Sequence, residues 1–265
     1  MRNPLLHWLF YGHLWIALAA AALAWQSTVL AGSPGLTASH AFVFAATLAV
    51  YTLHRLLSFR RAGGQPDGRR YRVVARHPRT SLTVGCGALA AAVGLAFFVP
   101  LNHFWPVCFA LPFTYFYLIP LYPGGPRLRD FPYLKVVWVA LAWTLMTHVF
   151  PTYPPQPEGE AVIRFLFTLA VALLFDTRDV ALDKRQGVKT LAANHPRTNH
   201  ALALFLFLGC SLLALYCYPG ATGQRLSFAY ACGIGVGACT GPERGEDFYA
   251  VWVNGLLLLP PLVLL

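Results

Sequence analysis

The chain has 265 residues, with 20 Lys or Arg against 10 Asp or Glu; charged residues make up 11% and apolar ones 57%. An ordinary soluble domain is roughly 25% charged, so this chain has too little polar surface to clothe a water-soluble globule and too much apolar content for disorder. Its net charge of +10 is read through membrane topology before nucleic acid.

Apolar runs of the length a helix needs to cross a bilayer fall near 9–31, 37–59, 80–100, 103–122, 133–150, 161–178, 199–218, 226–240 and 248–265. They predict an all-α integral membrane protein of about nine transmembrane helices, one domain over residues 1–265. The first run follows a single basic residue, Arg2, and is too long for a signal-peptide core, so it reads as a retained span. The eighth run is short and the ninth carries Pro260-Pro261. Continuous apolar runs, with no period-two alternation, disfavour a closed β-barrel. Gly32-Ser33-Pro34-Gly35 and Pro123-Gly124-Gly125-Pro126 mark connections.

The connections after runs 2, 4 and 6, with their helix ends (55–79, 127–135 and 176–197), hold 16 of the 20 basic residues. The loop after run 5, Pro151 to Glu160, has two Glu and no basic residue. The positive-inside rule puts the N-terminus and the three basic loops in the cytoplasm, and a bacterial inner membrane is the expected location. Eight arginines between Arg55 and Arg79 exceed what orientation requires; they meet anionic lipid headgroups or form part of an anion site. Charge is the sole nucleic-acid signal, and topology already explains it.

Two copies of one tetrapeptide, His77-Pro78-Arg79-Thr80 and His195-Pro196-Arg197-Thr198, each end a basic loop and open an apolar run, the third and the seventh. The match suggests a duplicated four-helix unit with a ninth helix added. A shared helix-start device, with Thr80 and Thr198 as N-caps, is the compatible simpler reading. The six cysteines form no CxxC pair and are expected as buried small apolar residues. Gly233-x-Gly235-x-Gly237 lies inside run 8 and reads as helix packing, not nucleotide binding. The aromatics, 14% of the chain, suit membrane belts and packing.

Three of the ten acidic residues stand together at the end of run 6. Asp176, Asp179 and Asp183 have i, i+3, i+7 spacing and fall within about 60° of one helix face. Three like charges on one face need a cation between them. Arg178, Lys184 and Arg185 are the local candidates, giving a salt-bridged helix end. Mg²⁺ shared with a diphosphate is the favoured alternative, since that ion takes a few carboxylates plus substrate phosphates.

With these features the sequence resembles the UbiA-type intramembrane prenyltransferases. The resemblance rests on the nine runs, the large loops after runs 2 and 6, and Asp176-x-x-Asp179-x-x-x-Asp183-Lys184-x-x-Gly187-x-x-Thr190-Leu191, which matches that family's second aspartate-rich motif. Arg129-Asp130-Phe131-Pro132-Tyr133-Leu134-Lys135 resembles its middle loop. The first motif, N-D-x-x-D at the end of the second span, departs. Pairing the two halves sets Tyr51, His54 and Ser58 against Asp176, Asp179 and Asp183, the expected Asn is Val50, and Asp67 is the sole carboxylate of that loop. The resemblance implies transfer of an isoprenyl group from a polyprenyl diphosphate to an acceptor, Mg²⁺ held by Asp176, Asp179 and Asp183, and diphosphate met by Arg55, Lys135, Lys184 and Lys189. Tyr51, His54 and Ser58 would be the remnant of the first motif. His54 is then a diphosphate partner, an inert helix-end residue or, least favoured because imidazole suits Mg²⁺ poorly, a metal ligand. The rival reading is a non-catalytic protein of the same fold that binds isoprenoid or lipid. A transporter is disfavoured because the carboxylates lie at a membrane face and not at the midplane.

Overall fold

A computed structural model of the protein describes residues 4–61, 68, 71–185 and 187–265; Asp67, Arg69 and Arg70 of the large basic loop lie outside these. All the regular elements among the described residues are helical. In chain order they are α1 (Pro4–Tyr11), α2 (Leu14–Leu30), α3 (Ala38–Arg61), α4 (Arg72–Arg76), α5 (Pro78–Ala96), α6 (Trp105–Leu118), α7 (Lys135–Thr144), α8 (Glu158–Arg185), α9 (Leu191–Asn194), α10 (Pro196–Cys217) and α11 (Ala221–Ala238), followed by short helical pieces from Glu246 to Leu262. Each of the nine predicted apolar runs falls on helix, the first broken at His13 and the ninth into pieces.

Three of these helices, α3, α5 and α10, are long and apolar enough to cross a membrane; α2 and the Lys135–Val149 segment are shorter apolar helices. Helix α8 is the longest at 28 residues, yet Glu160 and Arg164 near one end and Asp176, Arg178 and Asp179 near the other lower its hydropathy. On α10 the stripe Phe205, Leu208, Leu212, Leu215 points outward, with Phe205 69% and Leu212 58% exposed. An apolar stripe of that length on a helix surface has its natural solvent in acyl chains. Inward faces form one main core joining α2, α8, α10, α11 and the C-terminal pieces around Leu23, Phe167, Phe207, Leu226 and Tyr230.

The two tetrapeptide copies adopt one conformation. His77 has φ −132°, ψ 59° and His195 φ −135°, ψ 67°. Each closes a one-turn helix (α4 or α9) and accepts the first hydrogen bond of the next, from Ser81 N (2.9 Å) or Asn199 N (2.9 Å). Helix α5 then packs on α3 as α10 packs on α8. The histidines, not Thr80 and Thr198, are the N-caps: Pro78 and Pro196 occupy the first helical position, where a fixed φ and a missing N–H cost nothing, so each helix starts earlier than expected.

The glycine series behaves as packing. A Cβ on Gly237 would stand 2.8 Å from Leu204 Cδ2 of α10, one on Gly233 would overlap the Phe207 ring, and Gly235 faces open space. Gly233→Val should therefore lower stability by about 1–3 kcal/mol through overpacking, whereas Gly235→Ala should not lower it; thermal unfolding in detergent measures both. The cysteines depart from expectation. Cys210 is buried, but Cys86, Cys108 and Cys239 are exposed, as apolar side chains on lipid-facing helix surfaces can be.

Candidate functional site

A cavity of about 330 Å³ opens at the end of the bundle where α3, α7 and α8 bring their polar termini together. Along α8 its wall runs from Ala172 through Phe175 and Asp176 to Asp179 and Leu182; along α7 it runs from Lys135 to Trp143. At 1.5 Å per residue, Lys135 and Trp143 are about 12 Å apart along the helix. One end of the cavity is thus charged and the other is aromatic and aliphatic, closed by Trp143, whose Nε1 donates to Tyr51 Oη (3.1 Å).

The carboxylate ladder is present, and its cation arrives from elsewhere in the chain. Lys135 Nζ lies 2.8 Å from Asp176 Oδ1 and 2.8 Å from Asp183 Oδ2. Asp183 is fully buried, Asp176 is 4% exposed and Lys135 8%. Arg129 Nη2 stands 3.7 Å from the other Asp183 oxygen. Asp179 is gripped by Arg178, Nε to Oδ1 at 2.9 Å and Nη2 to Oδ2 at 3.0 Å, and Arg178 lies over the Phe175 ring. Lys184 and Arg185, expected partners by proximity, are exposed.

The loop before α7 delivers Arg129 and Lys135. Arg127 clamps Asp130 through Nε (2.9 Å), Nη2 (2.8 Å) and its own backbone N–H (2.9 Å). Burial alone would raise the Asp130 carboxyl, but these Arg127 contacts outweigh it and hold the group below the usual carboxylate range. Tyr133 takes a positive φ of 63°; its N–H donates to Lys189 O (3.0 Å) and its hydroxyl accepts from Asn194 Nδ2 (3.0 Å). The middle loop is thereby tied to the segment that follows the ladder. Gly187, the motif glycine, supplies the left-handed turn there (φ +70°), and the motif Thr190 caps α9 through Oγ1 to Ala193 N (3.2 Å).

Facing the ladder, α3 contributes Tyr51, His54, Arg55 and Ser58 to the same cavity. His54 Nε2 is buried with no hydrogen-bond partner among the described residues, and Arg55 lies over the Tyr71 ring at 5.0 Å. The structure therefore brings together Tyr51, His54, Arg55, Ser58, Lys135, Asp176 and Asp179. Asp183 stands behind Lys135 and is absent from the lining; Lys184 and Lys189 are exposed and away from it. Arg129, Arg178 and Tyr117 line the cavity without having been assigned to a site. Arg129 has a legible signal in the middle-loop motif; Tyr117 has none.

The residues present do not fit the magnesium ion that the resemblance implies. An ammonium occupies the point on which Asp176 and Asp183 converge, and both oxygens of Asp179 are taken by a guanidinium. The α3 side offers a phenol, an imidazole and a hydroxyl in place of carboxylates. Among the described residues no three His, Cys, Asp or Glu side chains group as metal ligands.

A UbiA homolog from Archaeoglobus fulgidus bound to GPP and Mg²⁺ superposes with TM-score 0.66 at 14% identity, covering 96% of this chain and 97% of that one. The same homolog bound to DMAPP and Mg²⁺ gives 0.65 at 14% identity over 96% of each chain. A digeranylgeranylglyceryl phosphate synthase structure gives 0.59 at 14%, over 98% of this chain and 96% of that one. In sequence, the chain is 28% identical over 120 residues to a DMOA farnesyltransferase of Aspergillus novofumigatus; the match spans 44% of this chain and about a third (34%) of that relative. No family model matches. Over essentially its whole length, this chain therefore shares the fold of the UbiA homolog of Archaeoglobus fulgidus.

Proposed function

We propose that this chain is a membrane prenyltransferase that binds an isoprenoid diphosphate in the cavity and transfers its prenyl group to an acceptor nucleophile. The observation that carries the reading is the polarity of the cavity: Arg55, Arg129, Lys135 and Arg178 at one end, and Trp138, Val139 and Trp143 in the apolar remainder. Arg forks and Lys point charges both suit phosphate oxygens. In the reaction the prenyl C1–O bond breaks, its electron pair leaves with the diphosphate, and the acceptor's nucleophilic atom bonds to C1. The acceptor's proton passes to the departing diphosphate. The protein's task is to stabilise the charge that develops on the leaving group. Asp176, Asp179 and Asp183 act by holding Lys135 and Arg178 in place. His54 is placed to donate a hydrogen bond to the diphosphate, with Tyr51 and Ser58 beside it. Exposed Lys184 and Lys189 add positive charge outside the cavity, which favours the approach of an anion. The whole chain is one multi-pass domain with its basic loops and N-terminus in the cytoplasm. The superposed UbiA homologs, bound to GPP or DMAPP, and the farnesyltransferase match support this reading.

Binding of farnesyl diphosphate, farnesol and inorganic diphosphate to the purified protein tests it, together with diphosphate release when candidate acceptors are added. Farnesyl diphosphate should bind best, and Arg55→Gln should weaken it about 10–100-fold, the value of one charge-assisted contact. Equal affinity for farnesol and farnesyl diphosphate would instead favour a non-catalytic isoprenoid-binding protein.

A further inference from the structure

We infer that cationic side chains stand in for a divalent metal at this site, so that the chain binds isoprenoid diphosphates without one. The ligand class rests on the proposed function; the statement about the metal rests on geometry alone.

Asp176 and Asp183 lie two helical turns apart, and their carboxylates converge on one point, which Lys135 Nζ occupies at 2.8 Å from each. This is the spacing of charge-assisted N–H···O bonds; Mg²⁺ would demand oxygens at about 2.0–2.1 Å in an octahedral shell. A metal entering there must displace an ammonium that is itself 8% exposed, and a displaced lysine has to find new partners for its charge in an apolar bundle. Asp179 offers no easier entry, because Arg178 engages both its oxygens in a fork.

The opposite wall reinforces the point. The positions on α3 that mirror the ladder are Tyr51, His54 and Ser58, none of them anionic, and Tyr51 Oη already accepts from Trp143. Among the lining residues, the four cations Arg55, Arg129, Lys135 and Arg178 face two carboxylates, Asp176 and Asp179; with Asp183 behind Lys135 counted, these side chains still leave one positive charge in surplus. A site that holds metal ions needs a surplus of negative charge before substrate arrives. This one has the opposite sign, so the diphosphate itself supplies the balance.

Two measurements on the full-length purified protein test the inference, one of them independent of the ligand. After EDTA treatment, Mg²⁺ or Mn²⁺ alone should leave the thermal midpoint of the parent unmoved, and a metal-dependent rise in the parent overturns the inference. Farnesyl diphosphate should bind with affinities that agree within about twofold in EDTA and in Mg²⁺; affinity about tenfold or more tighter with Mg²⁺ overturns it too. Lys135→Ala empties the point between Asp176 and Asp183, so this variant should acquire a Mg²⁺-dependent rise in its thermal midpoint. Lys135→Arg, which keeps the charge, should not. A Lys135→Ala protein indifferent to Mg²⁺ contradicts the claim that the ammonium holds the metal's place; if that variant does not fold, the two parent measurements decide. No binding of farnesyl diphosphate in either medium removes the proposed ligand, and the ligand-free thermal response still decides the question of the metal.

Discussion

Arg164→Met should be among the most destabilising single substitutions in this chain, at about 3–5 kcal/mol, because it strands a buried carboxylate. Arg164 and Glu160 are both fully buried at the end of the bundle opposite the cavity's charged residues. Arg164 Nη2 donates to Glu160 Oε1 at 2.6 Å and to Ser27 Oγ at 3.1 Å. Tyr218 Oη donates to Glu160 Oε2 at 2.9 Å, and Gln26 Nε2 reaches Glu160 Oε1 at 3.4 Å and Tyr230 Oη at 3.3 Å. His148 Nδ1 meets Ser27 Oγ at 3.3 Å. One ion pair thus links α2, α8, α10 and α11 with the turn after α7. Removing both charges with Glu160→Gln/Arg164→Met should cost less than the sum of the single changes, by about 0.5–3 kcal/mol, as expected for groups in one network. Thermal unfolding of the four proteins in detergent measures the coupling. Strict additivity would show that the two side chains act independently.

That network also shows why some features were legible in the sequence and others were not. The Asp176/Asp179/Asp183 ladder is a local pattern on one helix, so its spacing announces it, and the folded helix displays it as read. Its cation is a different matter. Lys135 comes from a helix 48 residues upstream, and no periodicity within α8 distinguishes it from Lys184 or Arg185, which are closer in sequence yet exposed. The Glu160–Arg164 pair has a sequence signal of its own: an arginine inside an apolar run, four residues from a glutamate, is the i, i+4 spacing of an ion pair on one face, in a setting where charges are costly unless paired. The repeat was legible because it is literal, His-Pro-Arg-Thr twice. Its exact helix start was not, since proline at the first turn and threonine at a cap compete for the same assignment. The nine apolar runs locate helix throughout, but run length alone does not tell a helix that crosses the bilayer from one broken within it, as the His13 and Tyr249–Val253 interruptions show.

Trp143→Ala should move the preferred prenyl donor toward a longer chain. Trp143 lines the cavity about 12 Å from Lys135 along α7, and its hydrogen bond to Tyr51 (3.1 Å) closes the apolar end with two aromatic rings. On the proposed function, diphosphate held at Arg55, Arg129 and Lys135 would send the tail of the donor along Val139 and Ala142 toward that wall. Replacing the indole by a methyl group opens room for further carbons of the donor. Each newly buried methylene contributes about 0.8 kcal/mol. Burying most of one additional isoprene unit therefore favours geranylgeranyl over farnesyl diphosphate by about 3 kcal/mol, roughly 100-fold in relative affinity. Truncating a tryptophan packed against the main core and against a second cluster around Phe42 and Phe150 will also lower stability, by about 3–5 kcal/mol, so the quantity to measure is the ratio of the two affinities within one preparation. That ratio is insensitive to the fraction of protein folded. If it is unchanged in Trp143→Ala, the prenyl chain does not run along α7, and the charged end of the cavity alone would have to define how the donor is held.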